Sequence, residues 1–283
     1  MNGTVDGFSY GIVTPVAAYV MACLGAALGL RCVARTLHYA QGRKPAWLAL
    51  GAACLGCGIW TMHFIGMIGF QVEQTAITYN VPLTVLSLVV AIVVVSVGVF
   101  IVGYRGAAPV PLAAAGVLTG LGVAAMHYLG MAAMHLDGEL HYNVPVVVLS
   151  VLIAVGAATA ALWAAATIRG SLPSFGASLI MGVAVSGMHY TGMAAVSVHV
   201  HTGAGHTSNG HTPTSLLLPM LIGPVVFLLV AAVIVMFDPV LILGDGDWSR
   251  GDRVRRPVRP APVEPSAFEP RSGDPSRPQS HRR

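Results

Sequence analysis

Charge is what this sequence has least of: 9% of its 283 residues are Asp, Glu, Lys or Arg, against about 25% in a soluble globular domain. With 55% hydrophobic residues and a mean hydropathy of +0.74, that shortage excludes an ordinary soluble fold and leaves a polytopic membrane protein. No Asp or Glu falls within any long apolar stretch, which removes paired-carboxylate acid–base chemistry and any obvious proton carrier. Nucleophile–base spacings and phosphate-binding glycine loops are also missing, so no enzyme of those kinds is expected. The four cysteines, Cys23, Cys32, Cys54 and Cys57, lie within or at the ends of the first two apolar stretches. A disulfide framework in the outer loops is therefore not expected.

Long apolar runs are what the sequence has instead. A crossing needs roughly 20 residues to span about 30 Å of hydrocarbon, and seven stretches qualify, at 13–34, 46–69, 81–103, 111–134, 145–168, 174–197 and 215–237. No basic segment precedes the first, which reads as a retained span and not a cleaved leader. Arg31, Arg35, Arg43 and Lys44 lie between spans one and two, Arg105 between three and four, and Arg169 between five and six. All other basic residues, Arg250 to Arg283, lie in the tail, and the opposite connections hold none. By the positive-inside rule the N-terminus is outside and the tail cytoplasmic. The net charge of +4 is then a topological signal. The partner it implies is the lipid bilayer, and no nucleic acid. The expected organisation is an outer segment at 1–12, a seven-helix membrane domain at 13–240, and a Pro/Arg-rich tail at 244–283. That tail is too poor in aliphatic residues to offset chain entropy and is expected to be disordered.

Within the apolar domain the sequence repeats itself. "MHFIGM" at 62–67, "MHYLGM" at 126–131 and "MHYTGM" at 188–193 occupy alternate spans. The first two are followed by "YNVPLTVLS" and "YNVPVVVLS", so a span, its loop and the returning span are duplicated. The predicted architecture is all-α: one lone span followed by three helical hairpins. Pro82, Pro145 and Pro213 open the returning helices, where a missing N–H costs nothing, and Asn80 and Asn143 are the expected N-caps.

Each histidine stands about 12–15 Å below the outer loops at 1.5 Å per helical residue, so all three share one depth. His63–Met67, His127–Met131 and His189–Met193 are (i, i+4) pairs on one helix face. The methionine leans back toward the imidazole, so a nitrogen and a sulfur approach a common point. Met62, Met126 and Met188 point about 100° away. Gly66, Gly130 and Gly192, three residues past each histidine, are expected to let neighbouring helices come close. One copy would be ordinary packing. Three ionisable groups at one depth in a membrane point to a site. Imidazole plus thioether with no carboxylate is a soft, neutral donor set that suits copper, Cu(I) above all.

Other features carry less. Cys54-x-x-Cys57 occurs in one copy and reads as small-residue packing. His199, His201, His206 and His211 form a histidine-rich outer loop with metal-gathering composition, while His135 and His141 flank the second outer loop.

The motif-bearing residues resemble the MHYT-domain family of bacterial integral membrane sensors, over roughly residues 10–240. The resemblance implies copper held by Met62, His63, Met67, Met126, His127, Met131, Met188, His189 and Met193. It also implies detection of a diatomic gas (oxygen, carbon monoxide or nitric oxide) or of redox state, in a multi-pass protein of the inner membrane. Many relatives follow the last helix with cyclic-di-nucleotide enzyme domains. Here about 40 polar residues follow Asp238, so an unidentified cytoplasmic signalling partner is expected to carry the output. Two other functions fit the same residues: a haem-binding membrane electron carrier, and a copper or other metal transporter.

Overall fold

A computed structural model of the chain describes residues 5–7, 9–38, 44–168, 170–200 and 213–238. The tail from residue 244, Arg43, Arg169 and the loop histidines His201, His206 and His211 lie outside the described residues.

Seven helices result: α1 (Val13–His38), α2 (Lys44–Ile68), α3 (Val81–Arg105), α4 (Pro109–Ala132), α5 (Val144–Thr167), α6 (Ser171–Ala194) and α7 (Pro213–Met236). All seven are long and apolar enough to cross a membrane, and each coincides with one predicted stretch. The starts are set locally. The Asn80 side chain accepts the Leu83 N–H at 3.0 Å with Pro82 in the first turn, and Asn143 accepts from Val146 at 3.4 Å. Pro213 is the first residue of α7.

The chain sequence of lone span and hairpins closes in space into something more regular. Helix α3 packs against both α2 and α4, α5 against α4 and α6, and α1 against α6 and α2. The even helices thus form an inner triangle whose three grooves are each filled by an odd helix. No groove remains for α7, which lies outside against α2 and α1. Six short strands agree with this three-part order: β1 (Val5–Asp6), β2 (Gln71–Val72), β3 (Thr78–Tyr79), β4 (Met134–His135), β5 (Gly138–Tyr142) and β6 (Val196–Val200). They pair antiparallel as β1–β2, β3–β4 and β5–β6. Each ribbon joins the segment before an odd helix to the segment after the next even one.

The backbone repeats the same register. Ser9 N–H donates to Gly69 O at 3.2 Å, Asn80 N–H to Ala133 O at 2.8 Å, and Asn143 N–H to Ala195 O at 2.8 Å. Each acceptor stands six residues after a motif histidine. The spatial unit is therefore strand–helix–helix–strand and begins one helix earlier than the sequence repeat, with Ser9 in the place of the two asparagines.

The outer surface is hydrocarbon-facing: Val85, Val89, Val93 and Val97 make an exposed stripe along α3. The interior is built from small residues. A Cβ on Gly25 of α1 would lie 2.6 Å from the Gly58 Cα of α2, so these two backbones touch only because both residues lack side chains. At the end opposite the ribbons, Arg35 of α1 forms a partly buried ion pair with Asp238, just past α7, and its guanidinium sits 4.3 Å from the centre of the Trp47 ring. Cys32, Cys54 and Cys57 are free thiols packed against Leu228, Ala231 and Val235 of α7.

Candidate metal centre

The inner triangle brings the three motif histidines together. His63 of α2, His127 of α4 and His189 of α6 are each at most 1% exposed. Their Nδ1 atoms stand 3.1 Å (His63–His127), 3.3 Å (His127–His189) and 3.0 Å (His189–His63) apart. The rings meet edge to face, with centres 4.9, 5.0 and 5.2 Å apart.

Their seats are cyclic. A Cβ on Gly130 would collide with Nε2 of His63, one on Gly192 with Nε2 of His127, and one on Gly66 with Nε2 of His189. Each motif glycine therefore makes room for the imidazole of another motif. The close approach expected of these glycines is made to a side chain, where the sequence reading placed a helix backbone.

Hydrogen bonding leaves this cluster unsatisfied. A neutral imidazole nitrogen carries either a hydrogen or a lone pair, never both. Three Nδ1 atoms facing one another therefore cannot all pair: any assignment leaves donor facing donor or acceptor facing acceptor. The three Nε2 atoms have no hydrogen-bond partner among the described residues. A buried polar group in that state costs about 1–3 kcal/mol. A single cation accepting three Nδ1 lone pairs removes the conflict.

The distances suit such an ion. Three nitrogens 3.0–3.3 Å apart lie about 1.8 Å from their common centre. With metal–nitrogen bonds of about 2.0 Å, His63, His127 and His189 would together hold one such ion. No carboxylate or thiol joins the group: among the described residues it is His63, His127 and His189 alone that gather as candidate ligands of those types.

The methionines divide. Met67 and Met131 are fully buried in one cluster with Trp60, Phe64, Met126 and Met134, and Met193 packs against it. This sulfur-rich layer lies one turn toward the ribbons from the histidines. Met62 instead packs with Ala18 and Ala22 of α1. Met188 joins the cluster on the side away from the ribbons, with Val95, Val123 and Met181.

The residue after each histidine buttresses the ring beside it. Tyr128 bonds its hydroxyl to Ser150 Oγ at 2.6 Å and packs its ring 6.0 Å from that of Tyr142. In the first copy Phe64 lacks the hydroxyl, and Trp60 Nε1 donates to the equivalent Ser87 at 2.9 Å. The sequence reading missed Trp60. The shared "LS" of the two hairpins, with no tyrosine facing its first copy, was the available signal. Phe64 meets Tyr79 at 6.2 Å, and burial pushes the Tyr79 hydroxyl above its ordinary range. Nearer the ribbon surface, the His141 and His199 rings meet edge to face with centres 4.6 Å apart, and His135 Nδ1 lies 3.1 Å from Ala133 O.

Fold and site together define a class: a seven-helix, multi-pass membrane protein whose three motif helices enclose a buried tris-imidazole cluster. The MHYT family, described as a bacterial signalling protein N-terminal repeat, matches residues 56–115 and 120–178. The chain is an MHYT-repeat membrane protein of the bacterial type. His63 and His127 fall inside the matched segments, and His189 lies beyond the second.

Among relatives, the cyclic di-GMP phosphodiesterase NbdA of Pseudomonas aeruginosa is 36% identical over 210 residues, 70% of this chain and 27% of its own length. The bifunctional diguanylate cyclase/cyclic di-GMP phosphodiesterase MucR of the same organism is 40% identical over 193 residues, 66% of this chain and 28% of its own. The signaling protein YkoW of Bacillus subtilis is 28% identical over 188 residues, 64% of this chain and 23% of its own. The chain thus spans about a quarter of the length of the relatives it matches. No solved structure matches the chain.

Proposed function

We propose that this chain is the membrane-embedded sensing part of a signalling system, holding one copper ion at His63, His127 and His189. The observation that carries this reading is the ring of three buried Nδ1 atoms that cannot satisfy one another by hydrogen bonding. Imidazole nitrogens alone suit copper and zinc alike. The thioether layer of Met67, Met131 and Met193, which Met126 joins, favours Cu(I), while Met62 and Met188 pack in separate clusters beside the motif.

An ion bound there would supply one open coordination position for a diatomic gas such as oxygen, carbon monoxide or nitric oxide, or a centre of changeable redox state. The chain's own residues hold the three rings in register through the motif glycines and keep water out. They also tie each motif helix to its ribbon through the Gly69, Ala133 and Ala195 carbonyls. A change in ring spacing then moves α2, α4 and α6 against one another.

The distribution of basic residues favours ribbons on the outer side of the inner membrane and a cytoplasmic C-terminus. There the movement is passed to a signalling partner, and the relatives' names point to cyclic di-GMP turnover as the output class. Haem is less well served: at metal–nitrogen bonds of about 2.0 Å, two imidazole nitrogens on opposite faces of an iron stand about 4 Å apart, wider than the 3.0–3.3 Å between these Nδ1 atoms, and the glycine seats leave no slot for the macrocycle.

The test is metal analysis of detergent-purified protein after copper(I) loading. One copper per chain is expected in the wild type and none in the His63→Ala/His127→Ala/His189→Ala variant. Equal copper in the two proteins, or zinc alone at one per chain, would sink the reading. Copper accumulation by cells with and without the protein separates sensing from transport.

A further inference from the structure

One turn from the histidine ring, on the side away from the ribbons, the bundle axis is hollow. Ile59, Val123 and Val185 stand four residues before His63, His127 and His189, and Leu55, Thr119 and Met181 eight residues before them. All six line a single cavity of about 40 Å³. The same three helix faces that carry the imidazoles therefore carry its walls. The imidazoles themselves reach the other way, each Nε2 seated against a glycine three residues nearer the ribbons on a neighbouring motif helix, so the chamber lies behind the ring.

The lining decides what it can hold. A buried water needs two to four polar partners, and the chamber offers one polar side chain, Thr119, whose Oγ1 has no hydrogen-bond partner among the described residues. Water is poorly held, and apolar cavities of this kind stay dry. The volume admits a guest of two or three heavy atoms, not a drug-sized ligand. On one side the wall is the alanine face of α5: Ala158 is buried, while Ala157 and Ala161 are half-exposed toward the lipid-facing flank. The α5 wall is thus made of small side chains next to that helix's exposed face, and hydrocarbon is the phase in which apolar gases concentrate.

We propose that this chamber is a docking site for one small apolar gas molecule of the oxygen, nitric oxide and carbon monoxide class, admitted from the bilayer past the alanine face of α5. Delivery from there to the histidine ring rests on the copper reading given above. Occupancy of the chamber does not.

Xenon is the probe, applied under pressure to the full chain in nanodiscs, with and without copper, and followed by xenon-129 exchange or by xenon sites in a structure. One saturable xenon per chain is expected at the chamber. It should be lost in Ala158→Val, which adds two methyl groups to the wall, and kept in Gly156→Ala, whose new methyl on the same helix meets nothing within 4 Å. Ala157→Val, at a half-exposed position, repeats the test should Ala158→Val fail to fold. Absence of a saturable site in the wild type, xenon binding indifferent to both wall variants, or a lipid chain filling the space would overturn the proposal. In copper-loaded, reduced protein, carbon monoxide association should slow by about tenfold in the wall variant while copper content stays unchanged. Xenon bound in protein that takes up no copper leaves the chamber standing and removes the copper reading. Copper bound with no xenon site does the reverse.

Discussion

Gly192→Ala should break the centre without touching a ligand. Replacing glycine by alanine inside a helix ordinarily gains up to about 1 kcal/mol. At position 192 the new methyl would overlap Nε2 of His127 and lie 3.0 and 3.2 Å from its Cδ2 and Cε1. Ordinary contact requires the imidazole to retreat by about 1 Å, and overpacking a tight interior costs about 1–3 kcal/mol. The expected balance is a loss of about 1–2 kcal/mol. The consequence for metal is larger. Bond lengths at a metal tolerate about 0.2 Å, so one ring displaced from a triangle with 3.0–3.3 Å edges leaves two ligands. Copper affinity should fall by about 100-fold or more.

Gly187→Ala, on the same helix and five residues away, is the control, because its methyl meets nothing within 4 Å. It should keep full copper binding and melt at or slightly above the wild-type temperature. The two variants are compared by competitive copper titration and by thermal unfolding in one detergent. Wild-type copper affinity and stability in Gly192→Ala would show that the rings are not seated on these glycines, and the cyclic arrangement would be wrong.

Further consequences can be checked by thermal or denaturant unfolding. Asn80→Ala removes a 3.0 Å cap to Leu83 and should cost about 1 kcal/mol. Asn143→Ala, whose equivalent bond is 3.4 Å, should cost less, and equal losses would contradict the ranking. Arg35→Met takes the guanidinium away from the buried Asp238 carboxylate and should destabilise by about 3 kcal/mol, with much of the loss recovered when Asp238→Leu is added; an additive double variant would refute the pairing. Trp60→Phe loses the indole bond to Ser87 and should cost about 1–2 kcal/mol. Tyr128→Phe, which removes the hydroxyl paired with the matching Ser150, should behave alike.

Much of this protein can be read along the chain because a membrane makes local composition decisive. Hydrocarbon forces the backbone of a lone apolar run into a helix, so seven apolar runs become seven helices, and the starts of α3, α5 and α7 follow from Asn80, Asn143 and Pro213. The shared depth of His63, His127 and His189 follows from motif position and helix rise alone. The glycine three residues after each histidine is also visible in sequence, but what it faces is not. The imidazole packed on Gly130 belongs to His63, 67 positions earlier, and the one packed on Gly66 belongs to His189.

Sequence by itself determined the span count, the repeat, the depth of the histidines and the donor chemistry, because each depends on residues within one or two helical turns or on a count along the chain. Tertiary structure alone decided that the three rings meet, that α1 fills the third groove of the triangle while α7 stays outside, and that a hollow lies one turn beneath the rings. Those outcomes depend on which helix fills which groove, and that is settled by side-chain volumes meeting across helices distant in sequence.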